Sequence, residues 1–479
     1  MLSCITETKK FAGMVLALLL AGCMVGPDYR TPEVSAPAAW HSTMKGGLKA
    51  ISPKVEQLAQ WWSGLGDPKL SQLIEEAAAN NLDLKLAQAR LREARSRRGI
   101  SAAERFPTLN ASAGANRSRS SEEMGSGNGN TSETFFAQFD ASWELDIFGG
   151  KRRALEAAEA SLEASWEDLR DLQVSLLAEV ALNYIEVRSY QERLTIAQKN
   201  LATQMETWQI TRWRHEAGLT TQLDEDQARL NLEQTRSQLP ALQTGLEQSK
   251  NRLAVLLGRK PGELAELETQ GTIPHIPAEV AVGIPADTLR SRPDLRRAER
   301  QLAEATAQVG VATAALYPNF TLSGTLGLQA LSSGNLLQAS ARMFSVAANA
   351  GWMLFDAGRI RQNIEVQNAL QEQALISYES AVLVALRDVE NALIAYAEEQ
   401  NRRVALNNAV QAAQSAAGLA ASQYAAGLID FQTVLDTQRS LLNLQDQLSQ
   451  SEAAVTSNLA RLYKTLGGGW TTESPGEKS

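Results

Sequence analysis

Cysteine is almost missing from this chain. Of 479 residues only Cys4 and Cys23 carry a thiol, and both lie near the N-terminus. Histidine is nearly as scarce: His41, His215 and His275 stand far apart, without the spacing of metal ligands. No phosphate loop, nucleophile elbow or HExxH stretch occurs. Acidic pairs on helical stretches are usually solvated faces, so no catalytic centre, metal site or cofactor is expected. Basic charge is not in excess either. The formal net charge is -8, with 21% charged residues, and no basic cluster is interleaved with aromatics, which argues against a nucleic-acid partner. Beyond the N-terminus no run reaches about 18 consecutive apolar residues, so no transmembrane helix is expected. Any membrane crossing must use strands.

What is present begins with a leader. Lysines in "MLSCITETKK" precede an apolar run, Phe11 to Ala21, that is too short to span a bilayer but suits the h-region of a signal peptide. It ends in "LLAGC", which resembles the bacterial lipoprotein signal. That resemblance makes residues 1–22 a signal peptide and Cys23 the acylated first residue, an N-acyl S-diacylglycerol cysteine. The alternative is an ordinary secretory signal with a chance cysteine. Met24, rather than aspartate, follows Cys23 and favours the outer membrane over inner-membrane retention. With Cys4 removed and Cys23 acylated, no disulfide is available and packing alone must hold the chain.

The remainder is one unit written twice. "FPTLNASAGA" (Phe106 to Ala115) matches "YPNFTLSGTL" (Tyr317 to Leu326), and "WELDIFGGKRR" from Trp143 matches "WMLFDAGRIRQ" from Trp352. "AGLTTQLDEDQARLNLEQ" matches "AGLIDFQTVLDTQRSLLNLQ", on this reading with two residues inserted in the second copy. Each copy runs helix, strand, strand, long helix, helix. The expected divisions are a lipidated segment at 23–66, a first repeat at 67–270, a second at 271–467 and a tail at 468–479.

The strands show period two. Phe135, Phe139, Trp143 and Ile147 sit on one face, and Gln138, Asp140 and Glu144 on the other. Leu109 to Ala115, Phe320 to Leu328 and Phe344 to Leu354 alternate likewise. Two readings follow: an amphipathic sheet on a soluble core, or a membrane barrel with a wet lumen. The helices are long. Lys151 to Ala217, about 67 residues, and Arg359 to Ala417, about 59, contain no glycine or proline. Leu155, Ala158, Leu162, Leu169, Leu172 and Leu176 give a coiled-coil seam. Such helices need partners along their length. Each should turn near Gly218 or Gly427 and return, with a kink or break at Pro240.

Four strands cannot close a membrane barrel, and an open sheet would leave bare backbone groups in lipid. The chain must oligomerise, and a trimer supplies twelve strands with closed symmetry. "GPDY" (Gly26 to Tyr29), "WWSGLGDPKLSQLIEEA" (Trp61 to Ala77), "RPDLRRAE" (Arg292 to Glu299), the two strand-to-helix junctions and "VLDTQRSLL" (Val434 to Leu442) occur in this order. Together they resemble the TolC-like outer membrane factors, most closely the lipid-anchored NodT/OprM-type branch, over nearly the whole mature chain.

The resemblance implies an α+β membrane protein with internal duplication. It would be a homotrimeric 12-stranded transmembrane β-barrel, four strands per chain, continued by a long α-helical periplasmic barrel. It implies the exit duct of a tripartite efflux pump in the outer membrane of a Gram-negative bacterium. Its partners would be a periplasmic adaptor, or membrane fusion protein, and an inner-membrane transporter of the RND type. Alternatives are the outlet of a type I protein secretion system and, in a different class, a structural coiled-coil lipoprotein. By the same resemblance Asp436 forms a ring of three carboxylates at the periplasmic gate, sensitive to divalent ions. Thr433 stands where a second acidic ring would be. Tyr424 and Asp224 match a latch pair whose arginine falls on Ile429, and Gly218, Leu219, Gly427 and Leu428 are hairpin tips that dock the adaptor. Against these stand plain helix capping for Asp224 and Asp430 and a solvated face for Asp436. Trp143 and Trp352 are either interfacial-belt residues or barrel packing.

The Cys23→Ser variant is expected to lose incorporation of a fatty-acid analogue and to accumulate unprocessed precursor. Labelling that persists in the variant refutes Cys23 as the anchor.

Overall fold

The computed structural model describes residues 24–33, 36–52, 54–123 and 130–470. The signal segment, Cys23, the tip of the first Gly/Ser-rich loop and most of the tail lie outside the described residues. In the first copy α1 (Pro68–Asn80) and α2 (Leu82–Ala103) lead into strands β1 (Thr108–Arg119) and β2 (Thr131–Leu145). These are followed by α3 (Gly150–Glu216) and α4 (Gln222–Leu256). The second copy retraces this path: α5 (Pro285–Ser291), α6 (Pro293–Ala314), β3 (Asn319–Ala330), β4 (Arg342–Gly351), α7 (Arg359–Ala425) and α8 (Phe431–Thr465). Helices α3 and α7 have 67 residues each, and α4 and α8 have 35 each. A 67-residue helix contains about 100 Å of rise.

Three expectations change in detail. The return helices are equally long and each begins four residues after its tip glycine, so the second copy carries no insertion there. Helix α4 runs through Pro240 without a break. Proline removes one backbone donor, but Leu232, Thr235, Leu242 and Leu246 are buried on both sides of it and hold the helix in place. Strand β4 ends at Gly351, which leaves Trp352 to Leu354 beyond the sheet.

The chain packs as two units. The first gathers Arg90–Trp166, Arg297–Glu379 and the N-terminal residues through Glu33. Its sheet is wholly antiparallel, in the order β1-β2-β3-β4. The register sorts side chains into rows. Ala111, Phe139, Leu326 and Phe344 lie opposite one another across all four strands, and the next row is Asn110, Asp140, Thr325 and Ser345. One face is thus apolar and exposed, with Phe139 at 56% and Phe344 at 81% accessibility. The other is polar. Within the chain β1 and β4 each pair on one side only.

The strand-to-helix junctions explain the abrupt change of period. Asp146 accepts from the backbone N–H groups of Lys151 (3.0 Å) and Arg152 (2.9 Å) at the start of α3. Asp356 does the same for Gly358 (2.9 Å) and Ile360 (2.8 Å) before α7. A carboxylate there satisfies orphan donors and faces the positive helix end. These bonds, led by that from Ile360, hold the Asp356 carboxyl below its ordinary value. Trp143 Nε1 donates to the Arg105 carbonyl at 2.9 Å, and Trp352 Nε1 to that of Leu316 at 3.0 Å. Each indole therefore ties the end of a long strand segment to the preceding helix-to-strand turn. At the same level residues 25–28 are clasped by Arg153, which is 1% exposed. Its guanidinium donates to the carbonyls of Val25 and Gly26 and pairs with Asp28 at 2.7 Å.

The second unit comprises Val34–Ala89, Glu167–Arg296 and Ser380–Ser479. Its core includes Trp61, Leu70, Leu73, Leu177, Tyr184 and Leu459. Two sequence motifs are built into it. In "WWSGLGDPK" Asp67 caps α1 through the N–H groups of Lys69 and Leu70 and accepts from Tyr184 Oη at 2.6 Å, while Trp61 stacks on Tyr463. In "RPDLRRAE" Arg292 pairs with Asp294 at 2.7 Å and donates to the Thr465 carbonyl at 3.0 Å.

A lysine at Phe139, in the middle of the exposed apolar row, is expected to destabilise the membrane-assembled protein by about 2–4 kcal/mol. Heat-dissociation of the oligomer in native gels measures this. Wild-type heat resistance of Phe139→Lys would place that row away from lipid.

Candidate gate at the hairpin tips

Both long helices end in the same turn. At the first tip the N–H of Gly218 donates to the His215 carbonyl and that of Leu219 to the Arg214 carbonyl, each at 2.8 Å. At the second, Gly427 donates to Tyr424 at 3.0 Å and Leu428 to Gln423 at 2.9 Å. These are paired Schellman turns, with the glycines in the left-handed region at φ 71° and 74°. A side chain at either glycine would meet nothing, so backbone conformation alone selects glycine. Leu219 and Leu428 stand out from the tips at 70% and 73% exposure.

The return helices are capped by mirrored pairs. Thr221 caps α4, its hydroxyl accepting from the Asp224 N–H, while the Asp224 carboxylate accepts from the Thr221 N–H, a complete capping box. Asp430 caps α8 and accepts from the N–H of Thr433 at 2.9 Å and its hydroxyl at 2.6 Å. Threonine and aspartate have exchanged places. Burial pushes the Asp224 carboxyl up, but bonds from Thr220 and Thr221 outweigh it and leave it below its ordinary value. Hydrogen bonds from the Thr433 hydroxyl and amide do the same for Asp430.

Within one chain Asp224 and Tyr424 are not hydrogen-bonded to each other. Asp224 Oδ2 takes all three Thr220 and Thr221 bonds. The Tyr424 ring packs against Phe431 with centroids 5.2 Å apart and lies beneath the Arg214 guanidinium at 4.8 Å. These rings belong to a small apolar cluster with Ala228, Ala420, Val434 and Leu435 that closes the second tip. Asp436 lies on the exposed side of α8. It accepts from Gln432 Nε2 at 3.0 Å and stands 3.8 Å from Arg439.

Above the tips the helices meet through polar side chains that the sequence pattern did not single out. Arg439 Nε donates to Asn231 Oδ1 at 3.0 Å, Arg193 pairs with Asp446 at 2.6 Å, and Gln438 reaches Thr207 at 3.2 Å. Asn231, Arg193, Arg439 and Asp446 line a cavity of about 360 Å³ between α4 and α8. These residues come together only in the folded hairpins, and no local spacing announces them.

The family model described as "Outer membrane efflux protein" matches residues 73–259 and 284–468. Nodulation protein T of Rhizobium leguminosarum bv. trifolii is 32% identical over 451 residues, 94% of each chain. The pyoverdine export outer membrane protein OpmQ of Pseudomonas aeruginosa is 34% identical over 474 residues, 98% of each chain. Among solved structures, the outer-membrane channel OprN superposes with a TM-score of 0.88 at 38% identity, covering 94% of this chain and 100% of that one. The open state of the Neisseria gonorrhoeae MtrE outer membrane channel gives 0.82 at 28% identity, covering 93% and 98%.

Alanine at Gly218 or Gly427 is expected to cost about 1–2 kcal/mol through its positive φ alone. Limited proteolysis should cut the substituted tip faster. Asparagine, which tolerates this region, should cut more slowly than alanine; equal rates for all three residues would exclude the backbone explanation.

Proposed function

Because this chain belongs to the outer membrane efflux protein family, we propose that it is the exit duct of a tripartite efflux pump, passively conducting small molecules out of the cell. A homotrimer closes a twelve-stranded barrel in the outer membrane, and the long helices continue it into the periplasm. The observation that carries this reading is the four-stranded sheet. It has one exposed apolar face, one polar face and two unpaired outer edges, in a chain that also builds two 67-residue helices. A coiled-coil spacer would have no use for such strands.

The finer assignments extend this reading. Cys23 carries the covalent lipid. Support comes from the residues after it: Val25 N–H bonds to the Phe148 carbonyl and Arg153 clasps residues 25–28, so the anchored segment starts beside the strand-to-helix junction. The exposed tips at Leu219 and Leu428 dock the periplasmic adaptor, and the inner-membrane transporter is of the RND type. Asp436 forms a threefold acidic ring at the entrance; its exposure on α8 supports this. The Oδ1 atom of Asp224 and the Tyr424 hydroxyl, which make no hydrogen bond among the described residues, are available to each other across a subunit boundary.

Full-length protein in planar bilayers should give discrete channel steps, blocked by divalent cations from the helical end. Asp436→Ala should relieve that block without loss of the trimer, because its carboxylate touches only Gln432 and Arg439. Absence of channels from intact trimers overturns the duct; unchanged block in Asp436→Ala overturns the ring.

A further inference from the structure

The polar face of the sheet is not charge-balanced. Following the register, residues sharing the face of Asn110, Asp140, Thr325 and Ser345 include Thr108, Ser112, Gln138, Ser142, Thr321 and Asn349. Among the described strand residues its ionisable side chains are Asp140 and Glu144, and none is basic. Glu144 pairs with Lys151 at 3.3 Å. Asp140 has no cationic partner among the described residues. The strand residues Arg117, Arg119, Glu133 and Arg342 fall on the apolar face, near strand ends, and Arg117 and Glu133 pair with each other at 3.2 Å.

Asp140 is nevertheless held firmly. Its Oδ1 accepts from Thr325 Oγ1 on β3 at 2.8 Å and its Oδ2 from Ser112 Oγ on β1 at 3.1 Å. Gln138 Nε2, two residues along β2, donates to both oxygens at 3.1 and 3.0 Å. Three strands thus fix one carboxylate with neutral donors, which stabilise its charge without cancelling it. An unpaired ionisable side chain in a membrane strand is expensive unless it meets water, and such residues mark ion pathways.

We propose that Asp140 is a charge-selecting site inside the barrel, where three copies form a carboxylate belt that attracts cations and cationic amines. The proposal rests on the trimeric duct described above. Twelve tilted strands about 4.8 Å apart give a backbone radius of about 12 Å. The side chain reaches inward, leaving each carboxylate about 9 Å from the axis. The screening length at physiological ionic strength is about 8 Å, so the field of the belt spans most of the lumen. In 1 M salt that length falls to about 3 Å and the belt should become ineffective. This belt lies in the strands and is separate from Asp436 on α8.

The experiment compares wild type, Asp140→Asn, Asp140→Glu and Asp140→Lys as full-length trimers in planar bilayers. The reversal potential is read in KCl gradients at low and high mean salt. Asp140→Asn should lower the cation-to-anion permeability ratio at least about twofold at low salt, Asp140→Lys should lower it further, and Asp140→Glu should retain it. The differences should shrink in 1 M salt. Trimers of Asp140→Asn and Asp140→Lys that conduct with wild-type selectivity overturn the proposal, whereas trimers of every variant and of wild type that never conduct overturn the duct itself and the belt with it. Should Asp140→Lys fail to assemble, Asp140→Asn, similar in shape to the native residue, decides alone.

Discussion

The outer edges of β1 and β4 govern the architecture. Each presents a row of backbone N–H and C=O groups with no strand partner among the described residues of its own chain. In water such edges are tolerable; in hydrocarbon each unsatisfied group costs several kcal/mol. Only another copy of the same sheet offers the matching row, and closed symmetry is the one arrangement that leaves no edge behind. The exposed apolar row at Phe139, Leu326 and Phe344 requires lipid, lipid requires closure, and closure requires three chains. The internal duplication then makes the trimer nearly sixfold. Helices α3 and α7, equal in length, enter the assembly as equivalents, and each gains the neighbours that a helix of 67 residues needs for stability.

Joining a strand to such a helix poses a local problem that each repeat solves in the same way. The helix begins with unpaired donors and a positive dipole end. Asp146 and Asp356 stand just ahead of it and accept those donors, while Trp143 and Trp352 fasten the adjoining strand segment to the turn on its other side. The first junction also holds the residues that follow Cys23, through Arg153. Residues 25–28, the strand end and the helix start are therefore fixed together within one packing unit. The tryptophans thus act as ties between turn and strand segment, the packing role of the two readings.

Much of this was legible because it is periodic or locally coded. Alternation from Phe135 revealed a two-faced strand, which stops at Leu145, two residues short of the expected Ile147; uninterrupted helix formers revealed α3, and the tip glycines marked its end. The motifs "WWSGLGDPK" and "RPDLRRAE" stood out as family signatures, and the structure shows what they do: Asp67 and Arg292 each join a helix start to distant chain through hydrogen bonds. What stayed hidden depends on register or on distant packing. The mirrored caps at the tips were obscured by a supposed insertion, since Thr221 with Asp224 and Asp430 with Thr433 look unlike until the turns are superposed. Asp140 was visible as one polar residue among many. Its isolation from positive charge appears only when four strands are aligned in register. At Pro240 the helix continues without a break, held by buried contacts on either side of it that local propensity takes no account of.

The second unit contrasts two kinds of contact along the same helices. Around Trp61, Leu177 and Leu459 the core is apolar and wholly buried, and separating it would expose area at about 25 cal/mol per Å². Nearer the tips the helices meet through Asn231, Arg439, Arg193, Asp446 and Gln438. There the Nδ2 of Asn231, the amide of Gln204 and the indole nitrogen of Trp208 are buried with no protein partner among the described residues. Buried polar groups left short of bonds destabilise the packed state, and water would satisfy them once the helices part. Such groups occur in both regions, Trp61 Nε1 and Ser449 Oγ included, but the seam nearer the tips also carries the Arg193–Asp446 ion pair and is more polar than the core. The small cluster of Tyr424, Phe431, Val434 and Leu435, together with the Arg193–Asp446 pair and the Arg439–Asn231 and Gln438–Thr207 hydrogen bonds, opposes separation there. One pair of coiled hairpins thus changes the polarity of its seam along its length, from an apolar core to a hydrogen-bonded network near the tips.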